Sequence, residues 1–458
     1  MSRLAETTLV EHVLAQAGRN VPADTRARIA QALLDWFTAG WSGAAMGAAA
    51  SFRQLATVAF AGAPGAVPVF GGAPAAPLPA AFANAAIAHQ REIDDAHRAA
   101  MLHPGVVSVS PVLALAAQGR MTQRQVIAAV VAGYEVSLRV GEALGPKHAG
   151  LFHGTATAGA IGAAAAAGIA LQLPQRQLHH ALGLAATQSA GLWQIVDDDA
   201  HEAKSLHPGF AVRNGMMAAW AAQAGLPGPQ AFVTGQRALY PLLSGNGPLQ
   251  ALDGGLDAPD RINTATVKAW PSCAMTFTAL DALRALMDEH RIAAHAIEGV
   301  DVEIFSHALR IASVDWPAKP AETPFSLRYL CATLLRTGRL GIAEMESPQL
   351  ADADLIALGR KVHVIASDTY QQAFPGRRPA KVTVRLQDGR SLSAYRELRR
   401  GDPEDPFDWS GLLHRMRAFC PGMDDTSAAR IAAWCARFAD AAHDDTPVQV
   451  DPALFGTA

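Results

Sequence analysis

The sequence predicts a mainly α-helical protein that carries a smaller, inserted α+β domain. Most of the first 245 residues place apolar side chains at helical spacing, interrupted by short Gly/Pro segments. Strand-like alternation then appears at 300–306 and 381–395, and the second stretch contains the Asp-Gly pair of a hairpin turn. Helical patterns return after the segment RGDPEDP at 400–406. Helices on both sides of a mixed region indicate an α+β insert, with a tail that packs back on the first domain.

Local sequence signals mark the helices of the first part of the chain. Leu4, Leu9, Val13 and Leu14 follow a helical period near the N-terminus, and 21–43 begins with Pro-Ala-Asp and ends at Gly. The Pro/Gly-rich segment AGAPGAVPVFGGAPAAPLP (61–79) predicts a loop that contains a short strand, VPVF. Helices across 80–245 are rich in Ala and Gly, so their backbones can approach closely. These features predict a compact helical bundle.

The inserted part has its own pattern. The stretch 325–338 predicts a helix, and 352–367 predicts a helix that runs into a strand. We therefore place an all-helical domain at residues 1–265, with 405–458 packing back on it. The α+β domain occupies 266–404.

Composition and charge narrow the classes of function. Half of the 458 residues are hydrophobic and only 17% are charged, which indicates a well-buried globular protein. The net charge of −3 and the absence of Lys/Arg runs with interleaved aromatics argue against a nucleic-acid partner. Four well-separated cysteines without a CxxC pair fit a reducing, cytoplasmic compartment. The apolar run 157–173 is mostly Ala and Gly, which favours a soluble core over a membrane span.

The stretch HQREIDDAHRAAMLHP (89–104) is the strongest candidate for a functional centre. It holds three histidines and three acids between two long apolar runs. Buried polar groups must be paired or functional, because burying them unpaired costs several kcal/mol. If 81–97 is helical, His89 and Glu92 share a face and His103 follows in the loop. Carboxylates beside imidazoles tune their basicity, so His103 is a candidate acid or base. The alternative is a solvated helix end.

Two later stretches repeat the pattern of a basic side chain at a helix start. His153 precedes the small-residue helix in LFHGTATAG, where free backbone N–H groups favour an anion. Lys204 and His207 precede a helix in EAKSLHPG. Lys204 could hold a substrate carboxylate and donate a proton, or pair structurally with Asp198, Asp199 or Glu202. Together the three stretches predict a pocket for a small polycarboxylate. A metal site at 89–103 is the rival interpretation, although no HExxH motif is present.

Seven segments from about residue 30 to 420 carry a resemblance to the MmgE/PrpD family, which includes 2-methylcitrate dehydratases, cis-aconitate decarboxylases and iminodisuccinate epimerases. The segments are NAAIAHQREIDDAH with LHPG, AGYEVSLRVGEAL, FHGTATAGAIGAAAAAG, AKSLHPGFAVRNGMMAA, KAWPSCAMTF, FSLRY and RGDPEDP. The resemblance implies a helical domain built from both chain ends, a smaller α+β lid between them and a homodimer. It implies no metal or organic cofactor.

The resemblance also implies site residues. His103, His153 and Lys204 match the family's catalytic positions. The substrate-binding positions match two retained aspartates, two departures in the same acidic segment, a lid tyrosine, and a phenylalanine where members often have histidine: Asp94, Asp95, Glu92, Ala96, Tyr329 and Phe277. Glu92 replaces the family's leading aspartate, and Ala96 replaces its following threonine. A carboxylate displaced by about 1 Å can cost about 10²-fold in rate.

These expectations favour a cofactor-independent lyase that acts on a small di- or tricarboxylate by acid/base catalysis, either a dehydratase of the 2-methylcitrate type or a cis-aconitate decarboxylase type. Lys204 and imidazolium groups would stabilise enolate-like charge. The first alternative is an epimerase of a dicarboxylate such as iminodisuccinate, which Phe277 mildly favours because it removes a carboxylate contact. Two others are an inactive carboxylate-binding homologue and a metal-dependent hydrolase centred on His89–His103.

Overall fold

A computed structural model of the chain describes residues 3–59, 65–119, 121–198, 200–346, 348–374 and 376–456. The chain divides into two compact units. One comprises Met1–Ala265 with Gly422–Ala458, and the other comprises Thr266–Pro421. The inserted unit thus ends at Pro421. The sequence pattern predicted a domain end at 404 and placed residues 405–421 in the helical tail.

The first unit is helical apart from one short antiparallel strand pair. Its helices and strands, in chain order, are α1 (Ala5–Gly18), α2 (Ala23–Ala44), α3 (Gly47–Ala59), β1 (Val67–Val69), β2 (Gly72–Ala75), α4 (Pro77–His89), α5 (Pro104–Ala116), α6 (Gln123–Ala149), α7 (Gly154–Ala170), α8 (Gln175–Ala186), α9 (Gln194–Asp197), α10 (Leu206–Gln223), α11 (Leu239–Leu242) and α19 (Asp425–Ala436). The short strand expected in 61–79 is β1, while residues 61–64 of that segment lie outside the described residues.

Helix α7 lies at the centre of this unit and packs against α5, α6, α8 and α10. Its side chains are almost all Ala, Gly or Thr, and all but the last residue are buried. Small side chains allow neighbouring backbones to approach closely on every side, so the helix is a core element. No helix in the described ranges is long and apolar enough to cross a membrane.

The C-terminal segment completes the same unit by packing on α2. Trp434 of α19 meets the ring of Phe37 edge-on with 5.6 Å between centroids, and Phe455 meets Phe37 at 5.4 Å. Aromatic pairs in this geometry bury large apolar areas and add stabilisation beyond burial alone. The two chain ends are therefore joined by a shared aromatic core.

Two local predictions in this unit were wrong. The helix expected over 81–97 ends at His89, because the chain turns at Glu92 with a left-handed φ of 53°. The Gly/Pro segment LGP at 144–146, one of the interruptions expected between helices, only kinks α6, because Gly145 takes a φ of 76° and the helix then continues to Ala149. Left-handed backbone of this kind interrupts a helix locally.

The second unit is an α+β domain around a four-stranded sheet of order β4-β3-β5-β6. Its elements are α12 (Phe277–His290), β3 (Ile297–Phe305), α13 (Ser306–Ile311), α14 (Leu327–Thr337), α15 (Ile342–Glu346), α16 (Ala353–Arg360), β4 (Val362–Ser367), α17 (Asp368–Gln371), β5 (Ala380–Leu386), β6 (Ser391–Arg396) and α18 (Trp409–Phe419). β3 and β4 are parallel, whereas β5 is antiparallel to both β3 and β6. The predicted hairpin at 381–395 is the β5–β6 pair, and 352–367 is α16 followed by β4.

Candidate active site

The stretch between α4 and α5 folds back so that Asp94 faces His89, the histidine at the end of α4. A backbone hydrogen bond from His97 N–H to the Leu102 carbonyl, 2.9 Å long, closes its second half. The left-handed turn at Glu92 reverses the first half, and Asp94 returns to His89. A continuous helix would have pointed Asp94 away from His89, since residues five apart do not share a helix face.

Asp94 sits between two imidazoles. Its Oδ2 lies 2.9 Å from Nδ1 of His89 and 3.2 Å from Nδ1 of His103. Burial alone would raise the pKa of Asp94, but the charges and hydrogen bonds of His103 and His89 outweigh it and hold the pKa well below its usual range. An ionised Asp94 favours a proton on the Nδ1 atoms that face it. It therefore leaves Nε2 of His103 as the basic nitrogen.

His103 is fixed by its place at the start of α5. It is the residue before Pro104, takes an extended backbone conformation, and donates its N–H to Thr155 Oγ1 of α7 at 3.0 Å. Proline is well suited to the first helical position because it has no N–H to leave unpaired. The side chain keeps 13% exposure, so it can reach a ligand.

His153 occupies the same position at the start of α7. Its N–H donates to the Gly191 carbonyl at 2.8 Å, and its ring stacks near His89 with 5.4 Å between centroids. Its Nδ1 lies 3.1 Å from Nδ1 of His207, in the first turn of α10. Trp193 covers it with a centroid distance of 4.8 Å. Two Nδ1 atoms at this distance require one donor and one acceptor, so only one of the two Nδ1 atoms can carry a proton.

Burial and neighbouring charge keep these last two rings neutral. The pKa of His153 is well below its ordinary value, first because the ring is desolvated and then because Lys204 and the other histidines lie close. The pKa of His207 is lowered to about 4, mainly by burial. A neutral His153 is suited to accept a hydrogen bond rather than to act as a cation.

Lys204 enters the site from a 3-10 turn (His201–Ser205) just before α10. Its Nζ lies 2.5 Å from Glu92 Oε2 and 5.7 Å from the centre of the Trp193 ring, and the side chain is 10% exposed. The sequence offered Asp198, Asp199 and Glu202 as structural partners of Lys204, and Asp199 lies outside the described residues. The ion pair with Glu92 instead links two predicted site residues.

Asp95 is engaged in a second buried network. Its N–H donates to Asp35 Oδ2 at 2.8 Å, and its oxygens accept from Gly105 N–H at 2.9 Å and Tyr134 O–H at 2.6 Å. Burial, followed by the neighbouring Asp35 carboxylate, raises the pKa of Asp95 to about 7. These bonds tie the loop to α5 and α6.

The remaining predicted residues have different surroundings. Ala96 is half-buried in the loop beside His97. Tyr329 and Phe277 belong to the second unit, where both are buried. Tyr329 on α14 donates its O–H to the Glu344 carbonyl at 2.8 Å, and Phe277 is the first residue of α12. Their part in binding substrate stays a prediction.

The sequence patterns predicted no role in the site for His207 or Trp193. They favoured a structural role for His89. One signal was present for His207: the tetrapeptide LHPG occurs at both 102–105 and 206–209. Both copies place a histidine at a helix start followed by Pro and a close-packed Gly. No comparable signal marks Trp193.

The arrangement can support proton transfer beside a bound anion. His103, oriented by Asp94, offers a basic nitrogen, while Lys204 supplies a cation at the same pocket. His89, His103 and His153 each also offer a ring nitrogen, and these three nitrogens lie within 4.8 Å of one another. The class of site is thus a buried imidazole cluster beside a lysine, with His103 and His153 at helix starts and His89 at a helix end.

Two protein-family models match the chain. The model of the MmgE/PrpD N-terminal domain matches residues 7–251, and that of the MmgE/PrpD C-terminal domain matches 270–437. Together they span most of the chain. The chain belongs to the MmgE/PrpD family, a family of lyases that includes dehydratases and decarboxylases.

Characterised relatives are distant. A cis-aconitate decarboxylase of Aspergillus terreus is 26% identical over 447 residues, which cover 90% of this chain and 88% of that protein. A cis-aconitate decarboxylase of Mus musculus is 26% identical over 360 residues, 75% of this chain and 71% of that protein.

Proposed function

We propose that the protein is a cofactor-independent lyase that acts on a small di- or tricarboxylate by acid/base catalysis. The observation that carries the proposal is the His103–Asp94 pair in one pocket with neutral His153 and cationic Lys204. A polycarboxylate needs a cation to bind and a base or acid to move a proton. This pocket offers both kinds of group on rigid helix starts.

Each side chain has a role in the proposal. His103 acts as the general acid or base, because ionised Asp94 stabilises its protonated form. Lys204 binds a substrate carboxylate and stabilises the enolate-like charge that develops when a bond at the neighbouring carbon breaks. His153 accepts a hydrogen bond from the substrate as a neutral ring. Glu92 holds the ammonium group until substrate displaces it.

Among lyase reactions, decarboxylation is supported by the two relatives described above, which are both cis-aconitate decarboxylases. In that reaction the C–C bond to a carboxylate breaks, its electron pair stays on carbon as a delocalised carbanion, and CO₂ leaves. A protonated His103 or Lys204 then delivers one proton to a carbon that shares the charge of this carbanion. Dehydration would use the same groups to remove a carbon-bound proton and to protonate a leaving hydroxyl.

Epimerisation of a dicarboxylate is the second candidate. Phe277, a buried apolar side chain, stands where family members often have histidine. One fewer polar side chain favours a reaction with fewer carboxylate contacts. A homodimer remains our expectation from the family resemblance for either reaction.

Proton NMR in D₂O with 2-methylcitrate, citrate, cis-aconitate and iminodisuccinate tests the proposal. A decarboxylase gives a new product with one solvent-derived deuteron on a carbon of the delocalised carbanion, and a dehydratase gives new alkene signals from 2-methylcitrate or citrate. Deuterium wash-in without net conversion indicates an epimerase. The variant His103→Asn should lower the rate by about 10²- to 10⁴-fold. Binding without any conversion would overturn the lyase proposal and favour the inactive binding homologue.

A further inference from the structure

We propose that His89, His103 and His153 form a binding site for a late first-row divalent cation, with Zn²⁺ as the reference ion, and that the bound ion blocks turnover. The ion is an inhibitor here, not a cofactor. The inhibitory consequence rests on the proposed function, whereas the binding site itself does not.

The three rings are arranged around a common point. Their centroids are 4.6 Å apart for His89 and His103, 5.4 Å for His89 and His153, and 6.3 Å for His103 and His153. One nitrogen of each lies within 4.8 Å of the others. Tetrahedral Zn²⁺ with Zn–N bonds of about 2.0 Å needs nitrogens about 3.4 Å apart, so closure requires side-chain shifts of about 1 Å.

His89 supplies the strongest reason for a ligand. The ring is fully buried, its Nδ1 is bonded to Asp94, and its Nε2 has no hydrogen-bond partner among the residues that the structure describes. A buried ring nitrogen without a partner is costly. A cation coordinated by Nε2 would satisfy it.

Asp94 provides the outer support that histidine–metal sites usually have. A carboxylate that accepts from the second nitrogen of a ligating histidine fixes the ring and raises its basicity. Asp94 lies within 3.2 Å of Nδ1 on both His89 and His103. The carboxylate also brings a negative charge next to the cation.

Protonation and local charge are compatible with a metal. A metal-bound imidazole uses a ring nitrogen that carries no proton, and the His153 ring is buried beside His89 and His103. The Lys204 ammonium opposes a second cation, but Glu92 pairs with it at 2.5 Å. An ion ligated by His103 and His153 would occupy the nitrogens that the proposed reaction needs.

Chelator-treated full-length protein, titrated with Co²⁺ and with Zn²⁺, tests the site. We expect one equivalent of Co²⁺ to give the visible absorption of tetrahedral nitrogen coordination, and Zn²⁺ to displace it and to reduce turnover. His89→Gln and, separately, His153→Gln should each weaken Zn²⁺ binding at least 10-fold in equilibrium dialysis. The control His363→Gln removes an exposed histidine of the second unit and should bind as wild type does.

The outcomes separate the two proposals. Circular dichroism shows whether each variant is folded, and either histidine variant suffices. Absence of stoichiometric binding, or unchanged affinity in a folded variant, overturns the metal site. Tight binding in a protein with no turnover on any substrate leaves the site standing and overturns the lyase. Turnover that needs Zn²⁺ overturns the inhibitory role.

Discussion

A single carboxylate, Asp94, joins two histidines of the candidate site at the residue scale. It contacts Nδ1 of both His89 and His103, and its own pKa is held well below its usual range. A neutral amide in its place would lack the negative charge that favours imidazolium. The basicity of His103 therefore depends on a residue that does not itself need to touch substrate.

We expect Asp94→Asn to lower kcat by about 10²-fold or more, because His103 loses the charge that stabilises its protonated form. Steady-state kinetics with the substrate found by NMR measure the effect. Asp257→Asn, an exposed carboxylate of the same unit, serves as the matched control. A kcat within a factor of three of wild type would contradict the role given to Asp94.

The buried Asp95 makes stability depend on pH. Its pKa is raised from 3.8 to about 7, so the folded chain keeps this proton where the unfolded chain has lost it. Stability therefore falls as pH rises between about 4 and 7, and the whole cost is present above that range.

Asp95→Asn removes that ionisation and keeps an oxygen for the Gly105 N–H. The variant should be more stable than wild type above pH 7, by on the order of 4 kcal/mol, and the difference should vanish toward pH 4. Urea midpoints at several pH values measure it. A difference that does not change with pH would show that the pKa of Asp95 is the same in the folded and unfolded chains.

The close approach of α6 and α7 dominates packing at the element scale. A Cβ on Gly162 would lie 2.6 Å from the Cβ of Ser137 and 2.8 Å from the Gly133 carbonyl oxygen. Backbone cannot move aside as a flexible side chain can. This helix pair also carries His153, which precedes the first turn of α7.

Gly162→Ala should therefore destabilise the chain by about 1–3 kcal/mol, although alanine is normally the better helix former. Gly47→Ala, in α3 with no atom within 4 Å of the new Cβ, is the control and should change stability by at most about 1 kcal/mol. Urea-induced unfolding followed by circular dichroism compares them. Equal midpoints for the two variants would contradict the close approach.

At the scale of the whole molecule, the inserted unit is continuous in sequence and has its own core. The sheet buries alternate residues of β5 against α12, and α14 packs against β4, so the hydrophobic surface is covered within 266–421. The first unit instead needs both chain ends, since α19 packs on α2.

We expect the fragment 266–421 to fold by itself and unfold cooperatively. Residues 1–265 without 422–458 should be poorly soluble, because Phe37 and its aromatic neighbours lose Trp434 and Phe455. Dispersed amide NMR signals and a single thermal transition identify the folded fragment. A disordered 266–421 would show that its core depends on the rest of the chain.

The sequence by itself determined the helical class, the inserted α+β region and most element positions, because periodicity and Gly/Pro punctuation are local properties. It also marked His103, His153 and Lys204, each of which precedes a helix start. The turn at Glu92 was not predictable, since burial of Asp94 against His89 overrides the helical tendency of the segment. The tertiary structure alone decided which groups share the pocket. The Glu92–Lys204 pair, the His153–His207 contact and the separate network around Asp95 join residues far apart in sequence, and only packing brings such side chains within bonding distance.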